Sequence, residues 1–120
     1  MDCLFCKIIK KELPSKILYE DDLVIVIMDL YPEVDGHTLV IPKKHYEDLQ
    51  VLPDEVLLHI NSVAKDMTNK LLTKLDLKSL TWIINYGQRQ AIKHYHLHLL
   101  PNYGKNLASI SIDEIYEKLQ

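Results

Sequence analysis

Over residues 53–75 apolar side chains recur at intervals of three and four. Val56, Ile60, Val63, Met67 and Leu71, with Leu57, Ala64 and Leu75 beside them, form one stripe, and Asp54, Lys65, Asp66, Asn69 and Lys70 fall elsewhere. That period predicts an amphipathic helix about 33 Å long at 1.5 Å per residue, its stripe turned to a core. On either side the pattern is that of strands. Residues 17–19 and 23–28 are β-branched or aliphatic runs flanking Glu20-Asp21-Asp22, which predicts a hairpin. The second run is apolar at nearly every position, so both of its faces should be covered. It ends in a turn-rich segment, residues 29–36, expected at the surface. Residues 38–42 make a third strand, with Pro42 stopping the ladder. Residues 80–86 make a fourth, residues 85–90 a polar loop, and residues 94–101 a fifth strand closed by Pro101-Asn102. Residues 3–12 predict a short opening helix ended by Leu13-Pro14. Ser111-Ile112-Asp113-Glu114 has capping-box spacing and opens a short helix with Ile115, Tyr116 and Leu119. The order predicts one α+β domain over residues 1–120, a mostly antiparallel sheet of about five strands with one long helix and short terminal helices.

The fifth strand carries the most unusual pattern. Of six histidines, three, His94, His96 and His98, stand at alternate positions. In a strand they share one face, about 6.6 Å apart at roughly 3.3 Å of rise per residue, while Tyr95, Leu97 and Leu99 pack on the other. An imidazole titrates near neutrality, so one ring can be a neutral nucleophile while its neighbours hydrogen-bond developing charge. A row of imidazoles can also chelate a metal, or stand solvated.

Composition narrows the classes. Fourteen Lys and Arg against seventeen Asp and Glu give a net charge of −3 with no basic tract. Nothing in it suggests a polyanion groove, so no nucleic-acid partner is expected. The apolar runs are too short to cross a bilayer and the Asp2-Cys3 start lacks a signal peptide's layout, so no membrane partner and a cytoplasmic location are expected. The two cysteines, Cys3 and Cys6, are spaced CxxC. Two thiols cannot make a disulfide framework, and no strand precedes them as in a redox CxxC. Metal ligation and an incidental pair of small apolar side chains remain.

The run HxHxHxxP at His94–Pro101 resembles the histidine triad (HIT) family of nucleotide hydrolases and transferases. Cys3-Leu-Phe-Cys6-Lys-Ile-Ile, Leu18-Tyr-Glu-Asp-Asp22, Asp29 ahead of Pro32, and Gly36-His-Thr-Leu-Val-Ile-Pro-Lys-Lys-His45 resemble family segments in the family's order. The resemblance implies attack on the α-phosphorus of an AMP-X substrate, a phosphoramidate, acyl-adenylate or dinucleoside polyphosphate, through a covalent nucleotidyl-histidine. It makes His96 the nucleophile and gives His98 a phosphate oxygen to hold. The backbone carbonyl of His94 would fix the tautomer of His96. Asp29 would grip the ribose hydroxyls, Asn85 and Gln90 would contact phosphate, and Phe5, Ile8, Leu18 and Ile27 would sandwich the purine. His37 has a supporting role open to it; His59, on the long helix, is structural.

A zinc-bearing branch of the family resembles this chain at the CxxC, at the histidine closing the PKxH segment and at the first triad histidine, implying one structural zinc on Cys3, Cys6, His45 and His94. Two thiolates and two imidazoles suit tetrahedral zinc; the alternatives are that His45 merely caps the following segment or that the triad shares a metal. The resemblance also implies a homodimer, as do the successive Trp82, Ile83 and Ile84 on one strand. Arg89 and Ala91 depart from the family, which commonly has Gly before the Gln90 position and Ser or Thr after it, on a loop about two residues longer; this leaves the leaving group open. Asn102-Tyr103 stands where a basic residue often follows the proline. A rival class is a non-catalytic purine-nucleotide-binding or metal-binding module.

Overall fold

The two strands in which every residue is buried, Val24–Met28 (β2) and Thr38–Pro42 (β3), lie side by side in the sheet. The computed structural model describes residues 3–104 and 108–120. Around β2 and β3 stand Ile17–Glu20 (β1), Leu80–Ile84 (β4) and Leu97–Pro101 (β5), in the order β1-β2-β3-β5-β4, with every neighbouring pair antiparallel. The helices are Leu4–Ile9 (α1), Asp54–Lys74 (α2) and Ile112–Lys118 (α3), with a 3₁₀ turn at Gly87–Arg89. This is the expected α+β architecture.

Alternation along β2 sends Val24, Val26 and Met28 to one face and Ile25 and Ile27 to the other. The first face packs with Val40, Tyr95, Leu97 and Leu99 against Ile60, Ala64, Met67 and Leu71 of α2 and against Ile115 of α3. The second packs with Leu39 and Ile41 beneath Phe5 and Ile8 of α1. Both faces of β2 are therefore covered, and each fully buried aliphatic contributes about 1.5–3 kcal/mol. Leu18 lies with the α2 face, not beside Phe5, Ile8 and Ile27. The expected apolar sandwich loses that member, because strand alternation sends Ile17 rather than Leu18 to the α1 side.

Polar side chains hold the periphery. Asp21 Oδ1 accepts from the N–H groups of Leu23 and Val24 at 2.8 and 2.9 Å, closing the β1–β2 hairpin. Its Oδ2 meets Tyr19 Oη and His59 Nε2, each at 2.7 Å, so His59 pins the hairpin to α2. Asp35 accepts from Ser109 N and Ile110 N at 2.9 and 3.0 Å, fixing the approach to α3, where Ser111 Oγ accepts from Glu114 N. Gly36 has φ +86°, and a Cβ there would lie 2.8 Å from Leu75 Cδ1 and 3.1 Å from Pro101 Cγ. Only glycine suits this close approach of the turn before β3 to the end of α2. Among the described residues no helix is long and apolar enough to cross a membrane.

Three elements are shorter than the sequence predicts, and one of them is β4, which ends at Ile84 rather than at residue 86. The opening helix stops at Ile9, and Lys11 is left-handed at φ 64°. The histidine strand begins only at Leu97. Residues 94–96 run alongside the sheet without a ladder, because other partners take their polar groups: Tyr95 N–H donates to Tyr46 O at 2.7 Å, and the carbonyl of His94 accepts from a side chain.

Candidate functional site

The even-numbered residues from His94 to His98 do face the α1 side of the sheet, although only His98 is in the strand. The rings of His96 and His98 tilt to 4.8 Å between centroids, closer than an extended strand would set them. Each ring carries its proton on an atom that its surroundings choose.

His96 Nδ1 lies 2.8 Å from the carbonyl oxygen of His94. A carbonyl only accepts, so Nδ1 holds the hydrogen and the lone pair is on Nε2. Burial pushes the pKa of His96 down, against the opposing pull of the His94 carbonyl and Asp29, and keeps the ring neutral. The buried ring of Phe5 packs on it at 4.9 Å, edge to face. His98 is set by His37. Glu33 N–H donates to His37 Nδ1 at 3.1 Å, so His37 carries its hydrogen on Nε2 and donates to His98 Nδ1 at 2.9 Å. His98 is then left with an N–H at Nε2. Burial, together with His96 and His37, pushes His98 down to about 4, so this donor is a neutral imidazole at pH 7. A lone pair on His96 thus stands beside a donor on His98, the pairing that covalent attack on a phosphoryl centre needs. His37, buried and 61 residues away in sequence, is the residue of this site whose part the sequence left open; its place beside Gly36 at the start of a strand was the only signal.

His94 turns away from its two companions. Its Nε2 lies 2.8 Å from the carbonyl of Pro42, which fixes the hydrogen there and presents the Nδ1 lone pair to the two cysteines and His45. Nδ1 is 3.4 Å from Cys3 Sγ, 3.6 Å from Cys6 Sγ and 3.1 Å from His45 Nδ1, and Cys6 Sγ is 3.3 Å from His45 Nδ1. Zinc–sulfur bonds of about 2.3 Å and zinc–nitrogen bonds of about 2.0–2.1 Å in a tetrahedron put ligand atoms roughly 3.3–3.8 Å apart. The donor set fits zinc in identity and number, and its spacings match but for the His45–His94 pair, which at 3.1 Å is slightly closer than bound ligands would be. Burial above all pushes His94 down to about 4, so its lone pair is available at neutral pH. Among the described residues His94 groups with Cys3, Cys6 and His45, and the three triad histidines do not form one set of close ligand atoms. The other close group of candidate ligands among the described residues, Asp29, His37 and His98, is held together by the His37–His98 hydrogen bond.

Beyond His98 opens a cavity of about 480 Å³, lined by Asp29, Tyr31, Glu33, His37, Ile83, Asn85, Arg89, His98, Leu100 and Tyr103. Asp29 Oδ1 accepts from Tyr31 N–H at 2.9 Å, and its Oδ2 is 3.4 Å from His37 Nε2. Asn85, one residue past β4, presents a half-buried amide to the cavity. Gln90 is placed elsewhere. It is buried, and its Nε2 donates to Glu47 O at 2.7 Å, tying the 87–93 loop to the chain after β3. The side chains of Tyr31, Ile83, Arg89 and Tyr103 join the wall; strand alternation that turns Ile83 to the side of its partner His98 could have flagged Ile83, while the others come from loops.

Residues 10–105 match the HIT domain. The chain is similar to the adenylylsulfatase HINT3 of Arabidopsis thaliana, with 38% identity across 83% of this chain and 52% of that one. It is also similar to the adenosine 5′-monophosphoramidase HNT1 of Saccharomyces cerevisiae, with 39% identity across 82% of this chain and 61% of the yeast one. In both cases it spans little more than half the relative's length. Among solved structures, a zinc-bound histidine triad protein of Mycobacterium smegmatis superposes with a TM-score of 0.90 at 32% identity, over 99% of this chain and 91% of that one.

Proposed function

The chain belongs to the HIT domain family, and from that premise we propose that it is a nucleotide hydrolase acting on AMP joined to a leaving group, through a covalent adenylyl-His96. The observation that carries this reading is the 2.8 Å contact of His96 Nδ1 with the His94 carbonyl, which leaves the Nε2 lone pair free in a neutral ring. In the first step that lone pair forms a bond to the α-phosphorus as the bond to the leaving group breaks, and the electron pair departs with the leaving group. His98 Nε2–H donates to an oxygen on the phosphorus, where charge accumulates. In the second step water attacks the same phosphorus, the P–N bond breaks, and AMP leaves with His96 restored. Asp29 has lone pairs beyond the one given to Tyr31 N–H, enough for a ribose diol. The amide of Asn85 is free of hydrogen bonds among the described residues and faces the cavity as a phosphate donor. Gln90 supports its loop. The names of two relatives, an adenylylsulfatase and an adenosine 5′-monophosphoramidase, support AMP compounds as the substrate class.

Cys3, Cys6, His45 and His94 would hold one structural zinc, which ties the N-terminal helix to both ends of the site and takes no part in either step. The working form would be a homodimer: β4 is an edge strand, with Trp82 37% and Ile84 40% exposed. The reaction is tested with a panel of adenylyl sulfate, an AMP phosphoramidate, an acyl-adenylate and a diadenosine polyphosphate. Wild type should release AMP from at least one and His96→Ala from none. Turnover by His96→Ala within a few-fold of wild type would contradict the assignment.

A further inference from the structure

Among the described residues Arg89 is the only Lys or Arg that lines the cavity, whose acidic residues are Asp29 and Glu33. Among the described residues its guanidinium enters no hydrogen bond, ion pair or ring contact. The turn that carries it is nevertheless pinned. Gln90 N–H donates to Gly87 O at 3.0 Å, Gln90 Nε2 to Glu47 O at 2.7 Å, and Lys93 Nζ to Gly87 O at 2.8 Å. The turn therefore holds a permanently charged, forked donor at the wall of the cavity, with no partner for it among the described residues. Guanidinium matches the oxygens of sulfate and phosphate in shape and charge, and it offers nothing comparable to a neutral amine.

We propose that Arg89 is a specificity-determining residue that selects leaving groups with a negative charge of their own: sulfate, phosphate or polyphosphate joined to AMP through oxygen. The inference rests on the hydrolase reading and names its substrate class. As His96 Nε2 bonds to the α-phosphorus, the bond from phosphorus to the bridging oxygen breaks, and its electron pair stays on that oxygen. The added charge on the departing anion meets the N–H fork of Arg89. Water then supplies the oxygen that AMP gains, its protons pass to solvent, and the P–N bond returns its electrons to His96.

The test measures kcat/KM for adenylyl sulfate and for an AMP phosphoramidate of a neutral amine, with wild type, Arg89→Ala and Arg89→Lys. The ratio of the two values should fall roughly 10- to 100-fold in Arg89→Ala, the worth of a charge-assisted hydrogen bond, with partial recovery in Arg89→Lys. A ratio unchanged within about twofold would overturn the proposal, because the arginine would then act on both substrates alike. Should wild type turn over neither compound, the hydrolase reading itself fails if the acyl-adenylate and the diadenosine polyphosphate are left uncleaved as well. Calorimetric titration of adenylyl sulfate and AMP then decides the arginine's role separately: a preference for adenylyl sulfate that Arg89→Ala removes supports anion recognition, and equal affinities overturn it.

Discussion

At His98 the donating nitrogen is chosen by His37, and at His96 the nitrogen that keeps its lone pair is chosen by a backbone carbonyl. Tautomers of neutral imidazole are close in energy, so a single hydrogen bond decides which atom carries the proton. The chain Glu33 N–H to His37, His37 to His98, thus delivers a donor to the cavity wall. Replacing His37 with Ala should free His98 to adopt the other tautomer, lowering kcat/KM roughly 10- to 100-fold, the worth of a hydrogen bond to a charged group. Nitrogen-15 NMR of the histidine rings separates this positioning role from a general loss of structure: wild-type His98 should show its hydrogen on Nε2, and His37→Ala a mixture. Unchanged tautomer and activity would remove His37 from the mechanism. Alternation of histidines along the chain was enough to mark His96 and His98, since it is a local pattern. His37 and Arg89 were not assigned from sequence, because their roles depend on a turn and a loop that meet the triad only in the fold.

At the scale of elements, α1 is a short helix of six residues that cannot be stable alone. It is held by Phe5 and Ile8 packing on the sheet and by Cys3 and Cys6 facing His45 and His94. The same helix brings the ring of Phe5 against His96, so the proposed zinc ligands and the proposed nucleophile share a support. Protein purified without added metal should contain close to one zinc per chain. The Cys3→Ser, Cys6→Ser double variant should lose the metal, melt about 5–10 °C lower and still bind AMP, since the second core under α2 does not involve these residues. Full zinc retention in that variant, read by elemental analysis, would place the metal elsewhere. The helix and strands with a sustained period were legible in the sequence: α2 over Asp54–Lys74 and β3 over Thr38–Pro42 match the pattern within a residue or exactly at their ends. The histidine strand read three residues too long, because nothing in its pattern shows that Tyr46 and the His96 ring would take the backbone groups that a ladder needs. Leu18 falls on the α2 side because Ile17, the partner of Ile27, takes the α1 side, and a short apolar run does not show which of its alternating residues faces which core.

For the whole molecule, the sheet ends at β4, whose outer edge is unpaired and whose Trp82 and Ile84 are partly exposed. Trp82 Nε1 bonds to Thr68 Oγ1 at 2.9 Å, so β4 and α2 present one continuous surface. A two-fold pairing there would extend the sheet and cover that surface. Light scattering after size exclusion should give twice the chain mass, and Trp82→Glu, a charge on the pairing surface, should give the monomer; a wild type that stays monomeric at all concentrations would exclude the pairing. What the molecule does with its site is tested most directly by mass. Wild-type protein mixed with a substrate of the AMP-X class and quenched in acid-free denaturant within the first turnover should carry one added adenylyl group, and peptide mapping should locate it on His96. Turnover with no adduct on the millisecond scale, or an adduct on any residue other than His96, would contradict the covalent account.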